Sequence, residues 1–332
     1  TYSPATTRLL WISCEFAIVA TDLAEVIGSA IALKLLFGLP LLAGICVAAV
    51  ATLAILGIQK ANLRKLEAFV IMLTGVVGAC FFYELWLSAP PVGELMAATV
   101  FSPNMPHGPL AVYLALGILG ATVMPHNLYL QSALYTRRRE GSRREAVRFA
   151  SFDCATALAL AALINAAILI TAASAFHLSG HAAVAGIEEA YRLLSPALGA
   201  GLASILFAVA LLAAGQSSAL TVTLAGQVVT EGFLDWRVSP SVKRLLTRCL
   251  AIIPAAAVAA LAGDGSISKL LVLSQVVLSL QLGFAVVPLV RFTNDRDLMG
   301  DLANGRWERW TGRMLAAVII AANLGLLLLS FS

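Results

Sequence analysis

Leu116-Gly-Ile-Leu-Gly-Ala-Thr-Val-Met-Pro-His-Asn-Leu-Tyr-Leu-Gln131 is as apolar as a membrane helix, yet Met124-Pro125-His126-Asn127 stands at its centre. Pro125 has no backbone N–H to donate, and its ring clashes with the carbonyl one turn back. In hydrocarbon, carbonyls freed in this way persist only where protein buries them, where they line a watery cavity, or where they bind something. A soft thioether, an imidazole, an amide and unpaired backbone oxygens gather around the break. The stretch predicts a cation site on a transmembrane helix broken in mid-membrane.

The rest of the chain suits that setting. Of 332 residues, 60% are hydrophobic and 12% charged, and the mean hydropathy is +0.90. Those values exclude an ordinary soluble domain. The apolar runs are long and lack the alternation of barrel strands, so the fold class is an all-α polytopic membrane protein. Nine spans are predicted, at 8–36, 40–58, 66–88, 110–136 (the broken one), 150–175, 195–214, 245–262, 269–290 and 313–331. They form one transmembrane domain over 1–332.

Charge placement orients the spans. With the first span entering from the cytoplasm, Arg8, Lys60, Arg64, Lys65, the arginines between 137 and 148, Arg237, Lys243, Arg244, Arg248, Arg291, Arg296, Arg306, Arg309 and Arg313 all lie inside. Of the 22 lysines and arginines, only Lys34, Arg192 and Lys269 fall outside. The positive-inside rule therefore places the chain's N-terminus in the cytoplasm and its C-terminus outside. The net charge of +4 is topogenic on this reading and does not mark nucleic-acid binding. The basic run 137–148 could also meet anionic lipid headgroups, but every other inside segment is basic too. The five cysteines are scattered singly and read as packing thiols. No organelle-targeting segment is visible, so the default location is a bacterial inner membrane.

Two groups of side chains could carry chemistry. Glu15, Asp22 and Glu25 lie on the first span at offsets of seven and ten, which puts them within roughly an 80° arc at helical pitch. Such a face should turn to the bundle interior, where carboxyls can take up and release protons. A structural network, or end residues reaching the interface, is the plainer alternative. The second group is the break itself. Proline kinks often mean only packing, and a second Met105-Pro106-His107 in a Pro-rich loop shows how little the tripeptide says alone. Met124 differs in its mid-span placement, with Gly120 and Gly117 one and two turns upstream. A thioether favours ions such as Mn²⁺ or Fe²⁺ over Ca²⁺ and Mg²⁺. Asn165, Gln216, Gln275 and Gln281 also lie in or near spans; interhelical hydrogen bonding is the usual role for such residues, and Gln275 could instead contact an ion.

At Gly120–Leu130 the sequence resembles the Nramp family of proton-coupled divalent metal transporters. Gly215-Gln-Ser-Ser-Ala-Leu-Thr-Val-Thr-Leu-Ala-Gly-Gln-Val-Val-Thr-Glu-Gly-Phe-Leu234 looks like that family's long transport signature, and Thr21-Asp-Leu-Ala-Glu25 matches its third helix. The resemblance implies a LeuT-like fold of two inverted repeats, with the substrate site between two broken helices. It implies Met124 as thioether ligand, Ala121 as a carbonyl ligand, and Gln275 approaching the ion from another helix. His126 would lie beside the site. Asp22 and Glu25 would carry the proton, and Glu15, Arg244 and Arg248 would line its exit. The metal would be cargo, with protons as co-substrate and no resident cofactor.

Two departures stand out. The first span matches the family's third, so the first two helices, with their Asp-Pro-Gly-Asn motif, are expected to be missing from these 332 residues. Gln131 stands where many relatives have a second histidine. Other classes were weighed on the same residues. Behind the leading reading, a secondary transporter of Mn²⁺ or Fe²⁺ with protons, stands a truncated, non-transporting scaffold or pseudo-transporter, an alternative that draws on the missing motif. A metalloenzyme lacks any His-Glu-x-x-His cluster. A channel fits interior acids less well than proton coupling does. Protein partners are not legible.

Overall fold

The computed structural model describes residues 2–59, 63–90, 93, 108–137, 142–177, 186–233, 240–261 and 264–331, and all of its regular structure among them is helical. In chain order the helices are α1 Pro4–Phe37, α2 Leu41–Gln59, α3 Leu63–Ser88, α4 Pro109–Thr122, α5 Pro125–Arg137 and α6 Arg143–Ala172. There follow α7 Ile187–Leu198, α8 Ala203–Phe233, α9 Pro240–Leu261, α10 Asp264–Asn294 and α11 Arg306–Phe331. A π-helical turn, Ala173–His177, extends α6, and a short helical turn at Arg296–Met299 precedes α11.

Among the described residues, six helical stretches are long and apolar enough to cross a membrane: Pro4–Phe37, Arg64–Ser88, Leu110–Tyr135, Arg144–Phe176, Ala203–Phe233 and Ser266–Asn294. Leu41–Ile55 and Cys249–Ala260 are apolar but shorter. Several boundaries differ from the sequence reading. α1 begins at Pro4 because Ser3 caps it, its hydroxyl accepting from the Thr6 N–H, with proline in the first turn. α6 starts at Arg143 on a capping box between Ser142 and Glu145. The largest difference lies at 195–214. There the amphipathic α7 stops at Gly199, which adopts φ 64°, and a separate helix then runs from Ala203 to Phe233. Only glycine takes that left-handed cap without strain. The polar run Gly215-Gln-Ser-Ser218 therefore lies inside α8.

α1 is the centre of the bundle. Of its most apolar 18-residue window 78% is buried, against 11% for α6, which presents Phe149, Phe152 and Leu158 outward. In a bilayer the hydrophobic effect does not drive helices together, so close approach depends on small residues. Ala17, Ala24 and Ala30 on α1 and Ala210, Ala213, Gly215 and Ala219 on α8 are all buried, and these two helices form the most heavily packed pair. Gln216 fastens the same seam: its amide donates to Ser29 Oγ at 3.1 Å and accepts from Thr52 Oγ1 on α2 at 3.2 Å. These bonds keep a polar run helical in the interior. The packing holds the acid-bearing face of α1 fixed, with α5 and α10 also resting against it.

Candidate functional site

The site is built where one helix stops and another begins. α4 ends at Thr122, with Val123 leaving helical geometry at φ −105°, ψ 84°, and α5 restarts at Pro125. In an unbroken helix the Ala121 carbonyl would accept from residue 125, and proline has nothing to donate. The Val123 N–H still reaches Leu119 O at 2.9 Å, and the Asn127 N–H reaches Met124 O at 3.2 Å. Met124 at the joint is half-buried, Pro125 is buried, and Ala121, Thr122 and Val123 are exposed.

α4 lies against α10 more closely than side chains ordinarily permit. A Cβ at Gly120 would overlap the Gln275 carbonyl and crowd the Ser279 N–H, while one at Gly117 would meet Val272 at 3.6 Å. The two glycines thus bring the Gln275 backbone against Gly120, one turn before Met124. Its amide nitrogen donates to Ser274 Oγ at 3.2 Å, and its buried side-chain oxygen has no hydrogen-bond partner among the described residues. An orphaned acceptor of that kind is costly unless a ligand or water meets it. Its donor type suits a cation.

His126, the first residue after the break proline, is fully buried. Its Nδ1 lies 3.4 Å from Thr21 Oγ1 on α1, and Nε2 has no partner among the described residues. The imidazole is thus seated against α1 one residue from Asp22, which is itself 2% exposed. Asp22 and Glu25 both have partners. Nearer the start of α1, Glu15 accepts from Trp11 Nε1 at 3.0 Å and from Thr230 Oγ1 on α8 at 3.2 Å.

Ala121, Met124 and His126 thus lie in or beside the break itself, the Gln275 backbone carbonyl lies against Gly120 one turn before Met124, and Asp22, Glu25 and Glu15 lie along α1, which His126 touches. Arg244 and Arg248 fall in α9, but their side chains lie outside the described residues, as does all of Met105-Pro106-His107. Gln131 turns away from the break, its amide 3.8 Å from Cys154 Sγ on α6. The sequence reading treated Gln281 as one polar group among several. It is buried and donates to the Tyr129 hydroxyl at 2.8 Å, tying α10 to α5. Tyr129, three residues after His126, repeats on α5 at helical spacing, and that spacing was the available clue. Among the described residues no three histidines, cysteines or acids come close enough to hold a metal. The donors at the break are thioether, carbonyl and amide.

Fold and site together define a class: an all-helical, membrane-spanning bundle with buried polar groups beside a helix interruption. The chain belongs to the Nramp family, since the family profile described as natural resistance-associated macrophage protein-like matches residues 1–329. It is 52% identical over 331 residues to the divalent metal cation transporter MntH of Bradyrhizobium diazoefficiens, covering 98% of this chain and 74% of that protein. To MntH of Nostoc sp. it is 50% identical over 333 residues, covering 99% and 75%. The chain thus spans about three quarters of these relatives. Its fold superposes on a crystal structure of the Eremococcus coleocola manganese transporter with a TM-score of 0.86, at 36% identity, covering 97% of this chain and 71% of that one.

Proposed function

We propose that this protein is a secondary active transporter for divalent transition-metal ions, Mn²⁺ or Fe²⁺, moving inward with protons across a bacterial plasma membrane. The observation that carries the reading is the orphaned, buried side-chain oxygen of Gln275, a residue whose backbone carbonyl lies against Gly120, one turn before Met124. On this reading the fold is a LeuT-like inverted repeat with nine transmembrane helices in this chain, the fourth broken, its N-terminus cytoplasmic and its C-terminus outside. The MntH names of the relatives and the manganese transporter structure support the substrate class.

Each residue then has a defined task. The Met124 thioether selects softer divalent ions, because stripping water from Ca²⁺ for a sulfur ligand is poorly compensated. The Ala121 carbonyl, with no backbone donor at residue 125, and the Gln275 oxygen supply hard donors. His126 bridges the break to α1, where Asp22 and Glu25 take up a proton as the metal's positive charge enters. Glu15, with Arg244 and Arg248, lines the way by which that proton leaves. Metal and proton thus move by neighbouring routes that share the His126–Thr21 contact.

The test is uptake into proteoliposomes by the complete gene product and its Met124→Ala variant. Preference for Mn²⁺ over Ca²⁺ should fall by about tenfold or more, equivalent to roughly 1.4 kcal/mol. Unchanged discrimination would remove Met124 from the ligand set. Asp22→Asn should uncouple pH-gradient stimulation from metal uptake in the same assay.

A further inference from the structure

α3 carries a second buried acid that the site at the break does not use. Glu84 stands in the run Cys80-Phe-Phe-Tyr-Glu-Leu-Trp-Leu87 and is 0% exposed, and neither of its carboxyl oxygens has a hydrogen-bond partner among the described residues. α6 and α8 flank it. Cys80 and Phe81, one turn back, share an apolar cluster with Ala167 of α6 and Ala210 of α8, which Ile168, Leu206, Phe207 and Val209 complete. A Cβ at Gly78 would sit 3.4 Å from Ile164 of α6. The register therefore rises together on α3 and α6, and the next turn sets Glu84 level with Thr171. The hydroxyl of Thr171 is likewise buried and unpartnered among the described residues.

Among the described side chains of the flanking segments of α6 and α8 there is no compensating charge; His177, on the turn that extends α6, has its side chain outside them. Segments 163–172 of α6 and 203–214 of α8 contain no ionisable side chain, and Cys46 is the only titratable residue of α2. α7, which also touches α3, carries Glu188, Glu189, Tyr191 and Arg192, with Glu188 held by Lys34 at 2.6 Å. On α3 itself the nearby titratable groups are Cys80 and the exposed Tyr83. A carboxylate sealed in such a site has no counter-ion among the described residues, whereas the neutral acid can be accommodated.

We propose that Glu84 is a second proton-binding site, separate from the helix break and from the acids of α1. It holds a proton while α3, α6 and α8 are packed as seen here and releases it to water when α3 parts from α6. A group protonated in the packed arrangement and ionised in the open one favours packing at low pH, so raising the pH opens this seam. The ligand is the proton alone; the proposal does not depend on how the metal is bound.

Hydrogen–deuterium exchange on the complete transporter tests it. Peptides covering 80–88 and 165–172 would be followed in the wild type, Glu84→Gln and Glu84→Leu, always compared at equal pH so that intrinsic exchange cancels. Wild type and variants should match near pH 5.5 and diverge by roughly threefold or more near pH 8.5, the wild type exchanging faster. Identical exchange in wild type and variants across that range overturns the proposal. So does a wild-type profile that stays flat once corrected for intrinsic chemistry, a result that needs no variant. Met124→Ala should leave the wild-type divergence intact, so failure of the metal-site reading and failure of this one remain distinguishable.

Discussion

Gly120 shows how much one missing side chain can decide. Its Cα faces the Gln275 carbonyl so closely that any Cβ would overlap backbone atoms. Backbone cannot swing aside as a flexible side chain can. Gly120→Ala should therefore push α4 off α10, lowering thermal stability by about 1–3 kcal/mol as overpacked sites do. Metal affinity should weaken with it, because Gln275 moves away from α4. Calorimetric melting together with Mn²⁺ titration of the purified protein reads both. If affinity held while stability fell, the Gly120 contact would be packing alone. Thr21 and His126 are paired in the same spirit: a single 3.4 Å contact joins the break to the helix that carries Asp22.

At the scale of elements, the interruption between α4 and α5 sets stability against function. A continuous helix would satisfy the Ala121 carbonyl; the proline keeps it unpaired. Pro125→Ala should let the two segments join. The expected result is a melting temperature that is unchanged or higher, because residue 125 regains a backbone donor for the Ala121 carbonyl, together with a loss of Mn²⁺ affinity of about tenfold or more. A variant that both melted lower and bound metal normally would show that the break serves packing. α1 and α8 form the opposing, rigid pair: their small buried residues and the Gln216 bonds to Ser29 and Thr52 leave little room for relative movement. α3 meets α6 and α8 differently, through a seam whose polar atoms, Glu84 and Thr171, are left unpaired among the described residues.

For the whole molecule, orientation is the property to measure. Reporter fusions to the complete gene, placed after residue 140 and after Ser332, should give a fluorescent cytoplasmic reporter at the first and an active periplasmic phosphatase at the second. Two fusions reporting the same side would refute an odd number of crossings between them. Much of this architecture is legible in the chain. Apolar runs announce membrane helices because the bilayer core offers no water to backbone groups, and the basic segments carry the orientation that these fusions test. Met124-Pro125-His126 marks its own break, since proline's missing donor is a local fact. Less legible were the boundary between α7 and α8 and the run of α8 past residue 214, where Gln216 is hydrogen-bonded to partners on α1 and α2. The sequence by itself thus determined the helical membrane class, the site of interruption and the donor types there, all of which follow from local covalent chemistry and hydropathy. Only the tertiary structure decided that the Gln275 backbone lies against Gly120, that His126 rests on Thr21, and that Glu84 is sealed without a partner among the described residues. Those facts depend on which helix faces lie together, and helix packing is settled by contacts between residues far apart in the chain.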